Sequence, residues 1–203
     1  MITYIIMALI AYLIGSINFS IIISKKIAGF DVREKGSGNA GTTNVLRAVG
    51  VKAAIITLIC DILKGVVSIS IARLMGNIFE NVNTDILIQL AGIFVIVGHT
   101  FPIFFEFKGG KGVATSLRVI LTSNWKIGLI CLVFGIVIIA LSKMVSMGSI
   151  GAAILFPILI IFLDGTTYFI YGVLLAVFVI FNHRENIKRI LDGTENKISF
   201  KKQ

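Results

Sequence analysis

Charge is scarce in this sequence. Only 14% of its 203 residues are Asp, Glu, Lys or Arg, about half the share of a typical water-soluble domain. So little charge cannot cover a water-facing exterior, which excludes an ordinary soluble domain. Cysteine is also rare. Cys60 and Cys131 both sit inside apolar runs. They lack metal-ligand spacing and read as buried packing thiols. Met1-Ile2-Thr3-Tyr4 carries no basic residue, and no small-residue cleavage site follows the first apolar run. The segment therefore reads as a retained first helix rather than a signal peptide.

Apolar material is abundant: 57% of residues are hydrophobic, against roughly 45–50% in soluble proteins. The mean hydropathy is +0.99. The hydrophobic residues come in runs near ~20 residues, enough to cross about 30 Å of hydrocarbon as helix. The runs are Ile2–Ser24, Ala53–Met75, Asp85–Phe105, Trp125–Leu141, Val145–Leu163 and about Tyr168–Phe181. A shorter helix, Val113–Thr122, is too short to span alone and is expected to reach partway. Turns are expected at Asn77–Thr84, Ser123-Asn124, Ser142-Lys143 and Asp164-Gly165-Thr166. The fold class is all-α: a polytopic membrane bundle of about seven segments, one of them short.

The net charge of +9 would suggest nucleic acid on a soluble protein. Here the basic residues lie between apolar runs, so membrane topology explains them better. With the N-terminus outside and seven segments counted, sixteen Lys and Arg fall on the inner side, including Lys25, Arg47, Lys111, Arg184, Lys201 and Lys202. Only Arg73 and Lys126 fall outside, and Lys64 lies within a span. The C-terminus and all three polar segments then share the cytoplasmic face.

Those segments carry the chemistry. The first runs from Lys35 to Arg47. Gly36, Gly38 and Gly41 let the backbone take positive φ and approach a ligand closely, and successive N–H groups in such a loop form an anion-binding concavity. Ser37, Asn39, Thr42 and Thr43 offer neutral hydrogen bonds. Thr42, Thr43 or Asn44 is expected to cap the next helix, and Arg47 offers a bidentate fork for phosphate. The alternative is a flexible connector, which has no need of Arg, Asn and Thr so closely interleaved.

The second segment is Gly98-His99-Thr100-Phe101-Pro102, then Phe107-Lys108-Gly109-Gly110-Lys111-Gly112. Gly109, Gly110 and Gly112 clear side chains from around Lys111, a point charge at a helix N-terminus and a good phosphate contact. The competing reading is a positive-inside anchor with a tight turn. His99, alone in its run, reads as a structural hydrogen-bonder. The third segment runs from His183 to Asn196. As a helix it turns His183 and Asn186 toward the bundle, and Gly193 ends it. A basic tail lying on anionic lipid is the competing reading. Asp61 and Lys64, spaced i, i+3 inside a span, read as a neutralising pair. A cavity-facing Lys64 is the alternative.

Three segments together resemble the PlsY family, the bacterial membrane acyl-phosphate:glycerol-3-phosphate acyltransferases. They are Gly36–Arg47 with Gly50, Gly98–Pro102 with Gly109–Thr115, and His183–Ile187 with Arg189 and Gly193–Glu195. The resemblance covers nearly the whole chain in length, motif order and topology. It implies a single integral membrane acyltransferase domain over 1–203, in the bacterial cytoplasmic membrane, with a cytoplasmic active site. The implied reaction moves a long-chain acyl group from acyl phosphate to the sn-1 hydroxyl of glycerol 3-phosphate, giving lysophosphatidic acid and inorganic phosphate. It implies no metal, cofactor or nucleic acid. The oligomeric state stays open, a monomer included.

Carried over residue by residue, Ser37, Arg47, His183 and Asn186 are the essential polar residues. Lys111, among Gly109, Gly110 and Gly112, matches the motif that binds glycerol 3-phosphate, and the reading of the first loop adds Gly38, Asn39, Thr42, Thr43 and Asn44 as phosphate-binding candidates. Glu195 is implied to support structure. Arg118 departs from the family, which usually has glycine there.

Rival chemistries lack their residues. A His-x4-Asp acyltransferase pair is absent, since Phe104 follows His99 and Lys188 follows His183 at that spacing. Asp164-Gly165 and Asp192-Gly193 lack the remaining aspartates of a CDP-alcohol phosphotransferase. A transporter for a small phosphorylated anion is the non-enzyme alternative. The concentration of polar residues on one face, with no inverted repeat, counts against it.

Overall fold

The computed structural model describes residues 1–163 and 168–198. The expected turn Asp164-Gly165-Thr166 and the basic Lys201 and Lys202 lie outside them. Every regular element among the described residues is helical. The chain divides into two compact units, Met1–Ser123 and Asn124–Gln203.

The first unit holds α1 (Ile2–Ser16), α2 (Phe19–Ala28), α3 (Thr42–Ala48), α4 (Val51–Ile78), α5 (Thr84–Thr100) and α6 (Val113–Ser123). Short 3-10 turns at Val32–Glu34 and Ile103–Phe105 sit in its two polar segments. The second unit holds α7 (Trp125–Ser142), α8 (Val145–Leu163), α9 (Phe169–Asn182) and α10 (Arg184–Leu191).

Among the described residues, five stretches are long and apolar enough to cross a membrane: Ile2–Ala28, Val51–Ile78, Thr84–Phe105, Trp125–Ser142 and Val145–Leu163. Val113–Thr122 and Phe169–Asn182 are apolar but shorter. Large apolar side chains such as Leu141 and Phe162 stay exposed, the surface a lipid solvent calls for.

The first apolar run is not one helix. α1 stops at Ser16, Ile17 is extended, and the Asn18 side chain accepts the Ile21 N–H at 3.2 Å to start α2. An asparagine satisfies a helix start better than it sits inside a helix. At the break the Lys64 ammonium donates to the Gly15 and Ile17 carbonyls, both at 3.2 Å. Irregular backbone inside a membrane survives only with such cover from protein.

Gly15 and Gly98 bring α1 and α5 into backbone contact: a Cβ on Gly15 would strike the Val95 carbonyl, and one on Gly98 the Tyr12 carbonyl. Small residues permit this approach where no hydrophobic effect drives helices together. Arg118 lays its stem against α4, its Cγ 3.4 Å from where a Gly65 Cβ would stand. In the second unit, Asn124 caps α7 by accepting from Lys126 N and Ile127 N. The chain turns at Lys143 (φ 61), whose carbonyl accepts the Ile198 N–H at 2.8 Å, tying the tail back.

Candidate active site

Asn44 organises the first loop. Its Nδ2 donates to the Val32 and Lys35 carbonyls, both at 2.9 Å, and its Oδ1 accepts the Ser37 N–H at 3.0 Å. Expected to face a ligand, Asn44 instead turns inward and shapes the loop, 1% exposed. Gly36 passes so close that a Cβ there would strike Asn44 Oδ1. This leaves Ser37 exposed at the loop's crest. Gly38 (φ 71) returns its N–H to the Lys35 carbonyl at 3.1 Å.

The cap of α3 is Gly41, not Thr42, Thr43 or Asn44. The Asn44 side chain is committed to the loop before it, and among the described residues no partner faces the buried Thr42 Oγ1. Asn39 and Thr43 are half-buried beside this start, and Arg47 is exposed in the last turn of α3.

Asp31 and Arg33, which the sequence reading did not single out, brace the same loop. Arg33 Nε and Nη2 donate to Asp31 Oδ1 and Oδ2 at 3.0 and 2.8 Å, and Lys25 Nζ lies 3.2 Å from Oδ2. The guanidinium hydrogen bond holds the Asp31 carboxyl down at about 2, against the opposing push of burial. Arg33 Nη1 then donates to the Phe105 carbonyl at 3.0 Å, joining the first polar segment to the second. Asp-x-Arg just after a helix-ending glycine was the legible sign, since i and i+2 side chains meet across a tight turn.

The second loop lies on the end of α5. Gly109 N–H donates to the Thr100 carbonyl at 3.0 Å and Gly110 N–H to the His99 carbonyl at 3.1 Å. A Cβ on Gly110 would strike His99 Nε2 and come within 2.5 Å of the Ala40 carbonyl. The second loop is therefore packed on both His99 and the first loop. Gly112 (φ 76) accepts the Ser116 N–H at 2.7 Å, opening α6, and places Lys111 just ahead of that helix. Ser37, Gly38, Asn39, Gly109, Gly110, Lys111 and Gly112 thus lie in two adjoining loops of one unit, with Thr42, Thr43 and Arg47 on α3, which follows the first loop. His99 is a structural hydrogen-bonder as expected, its Nδ1 2.6 Å from Lys64 Nζ. The Asp61–Lys64 pair is likewise present at 3.0 Å.

In the second unit His183 stands at the junction of α9 and α10, 2% exposed. Its Nδ1 lies 2.8 Å from the Val179 carbonyl. A carbonyl only accepts, so Nδ1 carries the proton and the neutral ring's lone pair is on Nε2. Glu195 gathers three donors: Ser146 Oγ and Asn186 Nδ2 reach Oε1 at 2.7 Å each, and Arg189 Nε reaches Oε2 at 2.9 Å. Burial pushes the Glu195 carboxyl up, but these hydrogen bonds outweigh it and hold it below its ordinary value. Ser146 gave no sign in sequence, because it lies 49 residues from its partner. Gly193 (φ 69) closes α10 as expected.

Apolar spans joined by glycine-rich, basic loops define a polytopic helical membrane protein. More particularly, the chain belongs to the glycerol-3-phosphate acyltransferase family, whose model matches residues 5–193. It is 47% identical over 196 residues to the glycerol-3-phosphate acyltransferase of Thermoanaerobacter sp. (strain X514), covering 96% of this chain and 95% of the relative. It is 46% identical over 205 residues to that of Clostridioides difficile (strain 630), covering 99% and 98%. Its fold matches the glycerol 3-phosphate form of PlsY (YgiH), an integral membrane glycerol 3-phosphate acyltransferase. The TM-score there is 0.87 at 34% identity, over 97% of this chain and 96% of that one. The lysophosphatidic acid form of PlsY matches with a TM-score of 0.84 at 32% identity, over 97% and 95%.

Proposed function

We propose that this protein transfers a long-chain acyl group from acyl phosphate to the sn-1 hydroxyl of glycerol 3-phosphate, as one acyltransferase domain over 1–203. The observation that carries this reading is the packing of two glycine-rich loops on each other, Gly110 against Ala40, with Ser37 and Lys111 in them and Arg47 on the helix that follows the first. Family membership and the glycerol 3-phosphate and lysophosphatidic acid forms of the related PlsY support the substrate and product. Seven spans with the N-terminus outside put sixteen of nineteen basic residues inside, which supports a cytoplasmic site in a bacterial cytoplasmic membrane.

In this reading Arg47 and Lys111 hold phosphate, Gly38, Gly109, Gly110 and Gly112 keep side chains clear of it, and Asn39, Thr42 and Thr43 add neutral hydrogen bonds. Ser37 orients a phosphate oxygen at the loop's crest. Acyl phosphate is a mixed anhydride with a good leaving group, so no covalent enzyme intermediate is required. The acceptor hydroxyl attacks the acyl carbon, the bond from that carbon to the phosphate oxygen breaks, and the hydroxyl proton ends on the departing phosphate. In the second unit, His183 Nε2 is the atom able to accept a hydroxyl's hydrogen bond, with Asn186 and Glu195 fixing the helix that follows it. Positioning and charge stabilisation supply most of the acceleration.

The test is product formation by purified protein from glycerol 3-phosphate with palmitoyl phosphate or palmitoyl-CoA. Lysophosphatidic acid and phosphate from the acyl phosphate alone are expected. Product from palmitoyl-CoA alone would overturn the donor. No product from either, in folded protein, would overturn the reaction.

A further inference from the structure

We propose that Asp61, Lys64 and His99 form a buried brace beneath the Gly109–Gly112 loop, with His99 a positioning residue that sets how tightly the loop holds the phosphate of glycerol 3-phosphate. The inference rests on the reading above that this loop binds that phosphate.

The three side chains are 1%, 4% and 3% exposed. Burying ionisable groups at membrane depth is costly, and apolar residues would pack α4 against α5 more cheaply. The Lys64 ammonium uses its three donors on the Gly15 and Ile17 carbonyls at 3.2 Å and His99 Nδ1 at 2.6 Å, and forms an ion pair with Asp61 Oδ1 at 3.0 Å. An ammonium has no lone pair, so His99 Nδ1 is the acceptor and its proton sits on Nε2. That contact fixes the ring's rotation.

The opposite edge of the ring faces the loop. Nε2 stands so close to where a Gly110 Cβ would be that the two would clash. The same residue's carbonyl accepts the Gly110 N–H at 3.1 Å, and the Thr100 carbonyl accepts the Gly109 N–H at 3.0 Å. Gly110 is thus held from one side by the His99 ring and carbonyl and from another by the Ala40 carbonyl. A tilt of the ring passes directly into the backbone next to Lys111, and a misplacement near 1 Å in such a shell is enough to impair binding. Capping the broken first span would explain Lys64 and Asp61. It would not explain why the third acceptor is a histidine whose far edge supports the loop.

The experiment is steady-state kinetics on purified wild type, Lys64→Met, His99→Leu and His99→Asn, with glycerol 3-phosphate and palmitoyl phosphate varied separately. Lys64→Met and His99→Leu are expected to raise KM for glycerol 3-phosphate by about tenfold, while KM for palmitoyl phosphate stays within about twofold. His99→Asn places an amide oxygen near the Nδ1 position, still accepts from Lys64, and is expected to recover part of the loss. Equal rises in both KM values, a fall in kcat alone, or identical behaviour of Leu and Asn at position 99 would overturn the brace. If Lys64→Met does not fold, the two His99 variants decide. An inactive wild type would instead sink the parent reading and this inference with it.

Discussion

Asn186 donates its side-chain amide to Glu195 Oε1 at 2.7 Å, on an oxygen that Ser146 Oγ reaches at the same distance. One carboxylate of the C-terminal tail thereby ties α10, through Asn186 and Arg189, to Ser146 of α8. Glu195→Ala leaves these buried donors without their acceptor and is expected to destabilise the protein by about 2–3 kcal/mol. Thermal unfolding in detergent checks this. Glu195→Gln keeps one acceptor oxygen and should lose less, so equal losses would refute a hydrogen-bonding role.

Asp31 gives a pH signature. Its folded pKa, about 2, lies below its ordinary 3.8. A carboxylate depressed on folding adds stability that is full above its ordinary value and lost as pH falls through the folded one. The Tm gap between wild type and Asp31→Asn is therefore expected to be widest above pH ~5 and to close toward pH ~2. A gap that stays constant would show that Asp31 acts through shape alone.

Gly110→Ala and Gly29→Ala separate crowding from backbone strain. A Cβ at Gly110 meets His99 Nε2 and the Ala40 carbonyl, whereas Gly29 (φ 75) has open space around it. Gly29→Ala is expected to cost about 1–2 kcal/mol of stability from its left-handed backbone, with little change in kinetics. Gly110→Ala is expected to lower kcat/KM for glycerol 3-phosphate by at least about tenfold, since the loop must lift off its support. Comparable kinetics in the two variants would contradict the packing of the two loops.

Asn44→Ala removes all three hydrogen bonds that curl residues 32–37 around it. The expected result is a loss of activity of about a hundredfold, from displacement of Ser37, in a protein that still folds. Asn44→Asp keeps the acceptor for the Ser37 N–H but loses both donors, and should fall between wild type and Ala. Wild-type kinetics in Asn44→Ala would show that the loop holds its shape without the amide.

Membrane residence, helical class and the three polar segments were legible in the sequence. Run length, charge scarcity and glycine spacing are local properties, and a bilayer admits few structures for apolar runs of that length. Val145–Leu163 matched to the residue, and Gly193 ended α10, because both depend on neighbours in the chain. The break at Ile17-Asn18 was hidden inside a continuous apolar run, since what makes it tolerable is Lys64, 47 residues away. Long-range partners decided the rest. Asn44 became a loop organiser because the Val32 and Lys35 carbonyls curl back onto it. Glu195 found Ser146, and His99 came to lie between Lys64 and Gly110. Residue type and spacing set what each group is able to bond, while tertiary packing chose which of those bonds form.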